Sequence, residues 1–272
     1  MSAGVVFDLP EADYHQHPAW SSSKAKSILD SPAHYKWEYI DGNRQVKKAF
    51  DVGSAVHAKV LGTGYAVRAL DFDNFRTKAA QDARDEARAA GEIPILKKEL
   101  EPIDAMAEAV LAHPAAAAFL EAAGHAETTV FAEHDGLDLK CRFDFLADEH
   151  PIAVDVKTTS GKASVSGFAR SAAEWKYHVQ RGHYLDVLER ATGRVVEMVF
   201  VVVETSGPYG VGVRQLDRDF AEMGMKEALK ARALYRECME TGVWPAYEQT
   251  VTLVPPPAWA IYEHEDRFGD DQ

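Results

Sequence analysis

The chain has 272 residues, 46% of them hydrophobic, with a formal net charge of −13 and two cysteines. That is enough apolar material for one large domain or a core with an appended subdomain, and the acidic balance excludes a protein that coats nucleic acid non-specifically while leaving room for a local basic strip. Cys141 and Cys238 lie far apart and make neither a disulfide framework nor a CxxC metal site; with no apolar run of membrane-span length and no signal-like start, a reduced cytoplasm without a membrane partner is expected.

In chain order, residues 8–20 hold Tyr14-His15-Gln16-His17-Pro18, whose His-x-His pair reads as part of an N-terminal arm rather than as metal ligands. Ser21-Ser22-Ser23 offers caps to a helix reaching residue 29, and Ser31-Pro32 opens another short helix. Lys24, Lys26, Lys36, Arg44, Lys47 and Lys48 are interleaved here with Tyr35, Trp37 and Tyr39. The mixture suits either a phosphate backbone or an ordinary solvated surface. Residues 50–61 read as a helix in which Gly53 and Ala55 allow close packing, Val56 and Val60 make an apolar stripe, and His57 lies beside that stripe. Residues 74–91 are expected as a solvent-facing helix ended by Gly91. Residues 103–123 form another helical region, interrupted near His113-Pro114. The first 125 residues thus read as a mostly helical portion, residues 126–260 as the core, and residues 261–272 as an acidic tail, the whole making one compact body.

Residues 127–133 give the first clear strand. The stretch 137–159 that follows holds two apolar segments joined by Ala147-Asp148-Glu149-His150-Pro151, a hairpin turn. Asp144 sits in the first segment; Asp155 and Lys157 sit in the second. Residues two apart on a strand share a face, so Asp155 and Lys157 stand together while Val154 and Val156 face the other way. A carboxylate and an ammonium in an oily strand are costly unless paired or metal-bound. Taken alone, Asp-x-Lys favours a cross-strand salt bridge. With Asp144 alongside, two carboxylates could hold Mg²⁺, a hard cation that prefers oxygen, and the lysine could orient a water or steady charge on a phosphate. Beyond it, residues 165–190 read as one helix on which Tyr177, Gln180 and Tyr184 share a face. Residues 194–204 look like a strand buried on both faces, residues 209–216 like a further strand, and residues 217–240 like a long amphipathic helix. A Pro-rich irregular tail follows over 242–259. The expected architecture is α/β, a mixed sheet flanked by helices with the acidic residues on its middle strands.

Gly53-Ser54-Ala55-Val56-His57, Arg142-Phe143-Asp144, Asp155-Val156-Lys157 and Gln180-Arg181-Gly182-His183-Tyr184, in that order, resemble the GxxxH, D, DxK and QxxxY elements of the RecB-like group in the PD-(D/E)XK nuclease superfamily. With flanks such as YHQHPAWSSSKAKSILDSPAHYK, the chain over about 10–260 resembles more closely the phage-type RecE exonuclease family, the exonuclease VIII C-terminal domain. The resemblance implies a restriction-endonuclease-like core. Asp144 and Asp155 would be catalytic metal ligands, His57 a further ligand or a neighbour of the second metal, Lys157 the catalytic lysine, and Gln180 and Tyr184 would position substrate or the metal shell. Glu127 is a further candidate ahead of the hairpin. It also implies Mg²⁺, with Mn²⁺ able to substitute, and digestion of linear duplex DNA ends 5′→3′ to leave 3′ single strands for recombination. A homo-oligomeric ring, trimer or tetramer, a single-strand annealing partner, and the cytoplasm of a bacterial host of a phage or prophage complete the expectation, as does a freestanding nuclease without a long N-terminal extension. An iron–sulfur RecB-like enzyme would need four cysteine thiolates, and the chain has two. A RecB-like nuclease for other ends or single strands, and a non-catalytic DNA-binding module, are the alternatives.

Overall fold

The structure is a computed structural model that describes residues 3–43 and 51–269. Arg44, Lys47, Lys48, Phe50 and the last three residues of the acidic tail lie outside the described residues. The strands are β1 (Gly4–Val6), β2 (Val67–Leu70), β3 (Ile93–Leu96), β4 (Gly124–His134), β5 (Leu137–Ala147), β6 (Ile152–Thr159), β7 (Glu197–Glu204) and β8 (Val211–Gln215). The helices are α1 (Glu11–Gln16), α2 (Ser22–Asp30), α3 (Pro32–Tyr35), α4 (Asp51–Leu61), α5 (Lys78–Ala89), α6 (Leu100–Ala112), α7 (Pro114–Leu120), α8 (Val165–Glu174), α9 (Tyr177–Thr192), α10 (Arg218–Thr241) and α11 (Ala258–Phe268).

Six strands form one sheet in the order β1-β4-β5-β6-β7-β8, and β2 and β3 pair separately in parallel. In the large sheet only β6 and β7 run parallel, because the α8–α9 crossover returns the chain to the same end; the other pairings are antiparallel. The sheet is mixed, as expected, and β5 and β6 are its middle strands. Each face buries its own core. One holds Trp20 and Ile28 from the α2 region, Phe143, Phe200, and Val179, Val187 and Leu188 of α9. The other holds Ala55, Val56 and Val60 of α4, Ile103, Met106 and Val110 of α6, and Val154 and Val156 of β6. Burying a side chain such as Val156 stabilises by about 1.5–3 kcal/mol, and β7 contributes to both layers, with Phe200 on one side and Val201 on the other. Residues on both sides of position 125 therefore share both cores, and β1 pairs Val5 with Val130 at the sheet edge.

Four expectations change. The helix over 165–190 is two helices, broken at Trp175 and Lys176, where Lys176 takes a left-handed backbone (φ 50°). Ser21 occupies the position before α2 but makes no side-chain cap, whereas Ser31 does accept from His34 N–H ahead of α3. The N-terminal portion carries three short strands, β1, β2 and β3, besides its helices. The tail is irregular only as far as Pro257, after which α11 begins. Among the described residues no single helix is long and apolar enough to cross a membrane; α6 and α7 together reach the length but are bent by 84°, and their apolar residues fill the second core.

Candidate active site

The hairpin β5–β6 is paired only at its closed end, by Phe145 with Val154 and Leu146 with Ala153. Past that point the two strands part, and the fork is where the acidic side chains gather. Asp144 bridges it, accepting the Val156 N–H through Oδ2 at 2.6 Å. On the other side of β5, pairing with β4 runs Ala126 to Phe145 and Thr128 to Phe143, which leaves Glu127 opposite Asp144. Glu127 has φ 51°, a left-handed conformation rare for a residue with a side chain. Opposite it, the alternation of faces on β5 breaks: Phe143 packs in the first core and Phe145 in the second, although strict alternation would put them together.

Both helical layers reach into this fork. From α4, His57 places Nε2 2.9 Å from Asp144 Oδ2 and Nδ1 3.2 Å from Glu127 Oε1. Gly53, four residues earlier on the same face of α4, lets that helix lie close to β6; a β-carbon there would meet Thr158 Oγ1 at 3.3 Å. From β6, Lys157 is ion-paired with Asp155 Oδ1, and Asp155 is 1% exposed. From α9, Gln180 Nε2 donates to Asp155 Oδ2 at 2.6 Å. Tyr177, at the start of α9, carries the Lys157 ammonium 5.2 Å from its ring centre. Tyr184, two turns further along α9, is buried edge-on to Phe143 and next to Tyr14. The depth of α9 is set by α10. Gly182, in the middle of the Gln-x-x-x-Tyr stretch, would carry a β-carbon 2.6 Å from the Gly224 carbonyl carbon, and one on Gly224 would come 2.0 Å from the His178 carbonyl oxygen. Backbone lies directly on backbone there.

The charges follow from the pairing. Burial works against a proton on His57, but the Asp144 carboxylate beside it wins and raises it to about 9. Burial likewise opposes the charge on Asp144, yet His57, Lys157 and the Val156 N–H hold it below the usual carboxylate range. Asp155 goes the other way, raised by burial more than Lys157 lowers it. Lys157 stays charged, because Asp155 and Asp144 outweigh its own burial. Burial also raises Glu127.

The structure therefore brings together His57, Glu127, Asp144, Asp155, Lys157 and Gln180, with Tyr184 behind them. Two residues not singled out from the sequence support the group. Arg142 faces Glu127 at 3.5 Å and donates to Thr129 Oγ1 at 2.9 Å and to the Leu9 carbonyl at 2.6 Å. Tyr14, which precedes the His-x-His pair read from sequence as part of an N-terminal arm, is buried beneath the guanidinium of Arg142 and the ammonium of Lys140, each 4.5 Å from its ring. A strand residue of the wrong polarity two places before Asp144 was the available signal for Arg142.

Among the described residues no three His, Cys, Asp or Glu side chains are set around one point as a ready cage; the two aspartates instead face cations of the protein. The donor chemistry nonetheless suits a hard divalent ion: two carboxylates and an imidazole within a single cluster, and a buried Asp155 Oδ1 that finds no hydrogen-bond donor in good geometry and faces the Lys157 ammonium alone. Binding there would displace the His57 proton, so loading would be coupled to pH.

A forked β-hairpin with Asp on one prong and Asp-x-Lys on the other, joined by a Gln-bearing helix, defines the PD-(D/E)XK class of fold. The chain belongs to the family described as PDDEXK-like domain of unknown function (DUF3799), whose model matches residues 21–253. Proteins of this fold generally use divalent metals such as Mg²⁺. Among solved structures, a protein from Eubacterium rectale that carries the provisional name exonuclease has the same fold, with a TM-score of 0.63 at 14% identity over 94% of this chain and 98% of that one. A second structure, SSO0001, overlaps 76% of this chain and 100% of that one at 10% identity, but its TM-score of 0.29 gives it no weight. No curated protein matches the chain.

Proposed function

We propose that the protein is a metal-dependent exodeoxyribonuclease that hydrolyses phosphodiester bonds at the ends of linear duplex DNA, working 5′→3′ to leave 3′ single strands for recombination by strand annealing. The observation that carries the hydrolytic reading is the convergence of four sequence-separated elements at the fork: His57 on Asp144 at 2.9 Å, Gln180 on Asp155 at 2.6 Å, and Lys157 on Asp155. Polarity, the strand-annealing role, an oligomeric ring and an annealing-protein partner rest on the resemblance of the chain to RecE-type exonucleases.

Asp144, Asp155 and His57 would hold Mg²⁺, which supplies a hydroxide near neutral pH and a counter-charge for the leaving oxygen. The remaining work belongs to the chain. The Val156 N–H fixes the Asp144 carboxylate and the Gln180 amide fixes that of Asp155, so each aims a known oxygen at the fork. Lys157, protonated at neutral pH, donates to a non-bridging phosphate oxygen or orients the attacking water rather than accepting its proton. Tyr177 beneath that ammonium limits where it can point.

A linear duplex labelled at its 5′ or 3′ end, incubated with and without Mg²⁺, tests this. Loss of label from the 5′ end first, abolished by chelator and by Asp155→Ala, is the expected result. Undiminished cleavage in chelator, or full activity of the Asp155→Ala protein, would overturn the hydrolytic assignment, and 3′-first loss would overturn the polarity. A non-catalytic DNA-binding module is the second reading, and it has one observation on its side: both aspartates already have protein cations. Duplex binding without cleavage in either Mg²⁺ or Mn²⁺ would establish it.

A further inference from the structure

The break between α8 and α9 builds a small cationic surface against the catalytic lysine. Without the turn at Trp175 and Lys176, residues 165–192 would continue as one helix. Lys176 takes its left-handed backbone and ion-pairs with Asp30 at the end of α2. Lys26, one turn earlier on α2, shares that face. Its ammonium lies 5.5 Å from the centre of the Tyr177 ring, the ring that also carries Lys157 at 5.2 Å. Lys157 has Asp155 and Lys176 has Asp30, but among the described residues Lys26 has no carboxylate partner. Burial, with the charges of Lys157 and Lys176 nearby, pulls it down to about 7 against the opposing field of Asp155. Two residues before Tyr177, Trp175 is 60% exposed. An isolated exposed apolar residue means little, but this one shares a tight turn with the residue whose ring holds both ammonium groups.

From this juxtaposition we infer a substrate-holding shelf for one nucleotide next to the scissile linkage, on which Lys26 binds the neighbouring phosphate and Trp175 stacks the base attached to it. The inference rests on the nuclease reading above and extends it. Lys157 and Lys26 lie 5.2 and 5.5 Å from the centre of one aromatic ring, so on this proposal a strand whose scissile phosphate meets the first sets its next phosphate on the second. An anion there supplies the counter-charge Lys26 lacks, and an indole at the edge offers a platform that accepts any base, since stacking does not read sequence. In an acidic chain, such a strip is the local basic contact that a phosphate backbone requires.

The test uses the full chain and a short linear DNA duplex, with Ca²⁺ for binding by fluorescence anisotropy and Mg²⁺ for steady-state cleavage. A second duplex has abasic terminal nucleotides. Lys26→Gln is expected to weaken binding of both duplexes to the same degree and to lower the salt slope of log Kd by about one, as loss of one phosphate contact does. Lys26→Arg should restore both. Trp175→Ala is expected to weaken binding of the intact duplex roughly five- to tenfold, with the loss mainly on KM, while the abasic duplex binds it as it binds the wild type; Trp175→Phe should recover most of the affinity. If the wild type binds and cuts but both variants keep its Kd, KM and salt slope, the shelf is wrong and the nuclease stands. If the wild type binds without cutting, the nuclease reading falls and the binding comparisons still decide the shelf. A wild type that does not bind the duplex overturns both.

Discussion

Replacing Lys157 with Met removes an ammonium and keeps most of the side chain's bulk, which isolates the electrostatics of the fork. Asp155 is 1% exposed, and without Lys157 the Gln180 amide, 2.6 Å away in the native protein, is its remaining close partner. Removing one partner of a buried ion pair costs about 3–5 kcal/mol. Part of that returns because Asp155, already pushed up by burial, takes a proton more readily once Lys157 is gone. A loss of about 3 kcal/mol in mildly alkaline solution is therefore expected. The sign with pH is fixed: an acid whose folded pKa is raised is at its most favourable when protonated, so the deficit shrinks as pH falls. Urea unfolding in chelator, with Asp155→Asn and the double variant alongside, measures this. The double variant should recover at least about 1 kcal/mol relative to the sum of the single changes, while none of the three cleaves DNA above chelator-treated wild type. Single changes that simply add, or a Lys157→Met protein as stable as wild type at every pH, would show that the pair is not coupled as described.

Gly224→Ala would drive a β-carbon to 2.0 Å from the His178 carbonyl oxygen; a destabilisation of at least about 3 kcal/mol is expected, measured by thermal unfolding, and a wild-type melting curve would contradict the contact. Gly53→Val should press against Thr158 and displace His57, lowering the cleavage rate by on the order of 100-fold; equal rates would show that the close approach is dispensable. His183 is buried and neutral: Nε2–H donates to the Lys140 carbonyl at 2.9 Å, Nδ1 accepts from Arg232 at 3.1 Å, and burial takes its pKa from 6.5 down to about 3. The unfolded chain gains a proton below pH 6.5 that the folded one refuses, so stability should fall by up to about 1.4 kcal/mol per pH unit as acidity increases. A His183→Gln protein, less stable at pH 7.5, should show a flatter decline, and an identical slope would contradict this.

The central strands and the long α10 were legible because their patterns are local. Val, Ile and Phe runs bounded by turn residues specify β5, β6 and β7, and the spacing within each motif needs no tertiary information. What the sequence could not show depends on partners distant along the chain. β1 is three residues long and gains strand geometry only by pairing with β4. Trp175 and Lys176 contain neither Gly nor Pro, so nothing local announces the break; the Asp30 ion pair across to α2 accompanies it. Phe143 and Phe145 are two apart on β5 yet pack on opposite faces of the sheet, a break in alternation beside the left-handed Glu127 of the adjacent strand that no local pattern announces. The burial of Tyr14 was not legible locally because the basic residues that enclose it, Lys140 and Arg142, come more than a hundred residues later.

The contact of Gly182 with Gly224 has a consequence for how damage to this protein should be interpreted. No side chain of α10 is paired with Asp144 or Asp155, yet the bed on which Gln180 rests is made of that helix's main chain. A substitution on α10 that thickens the seam would raise Gln180 away from Asp155 and silence the enzyme with every reactive group still in place. Inactive variants mapping to the C-terminal third should therefore be sorted by whether they tilt this seat before any of them is credited with chemistry.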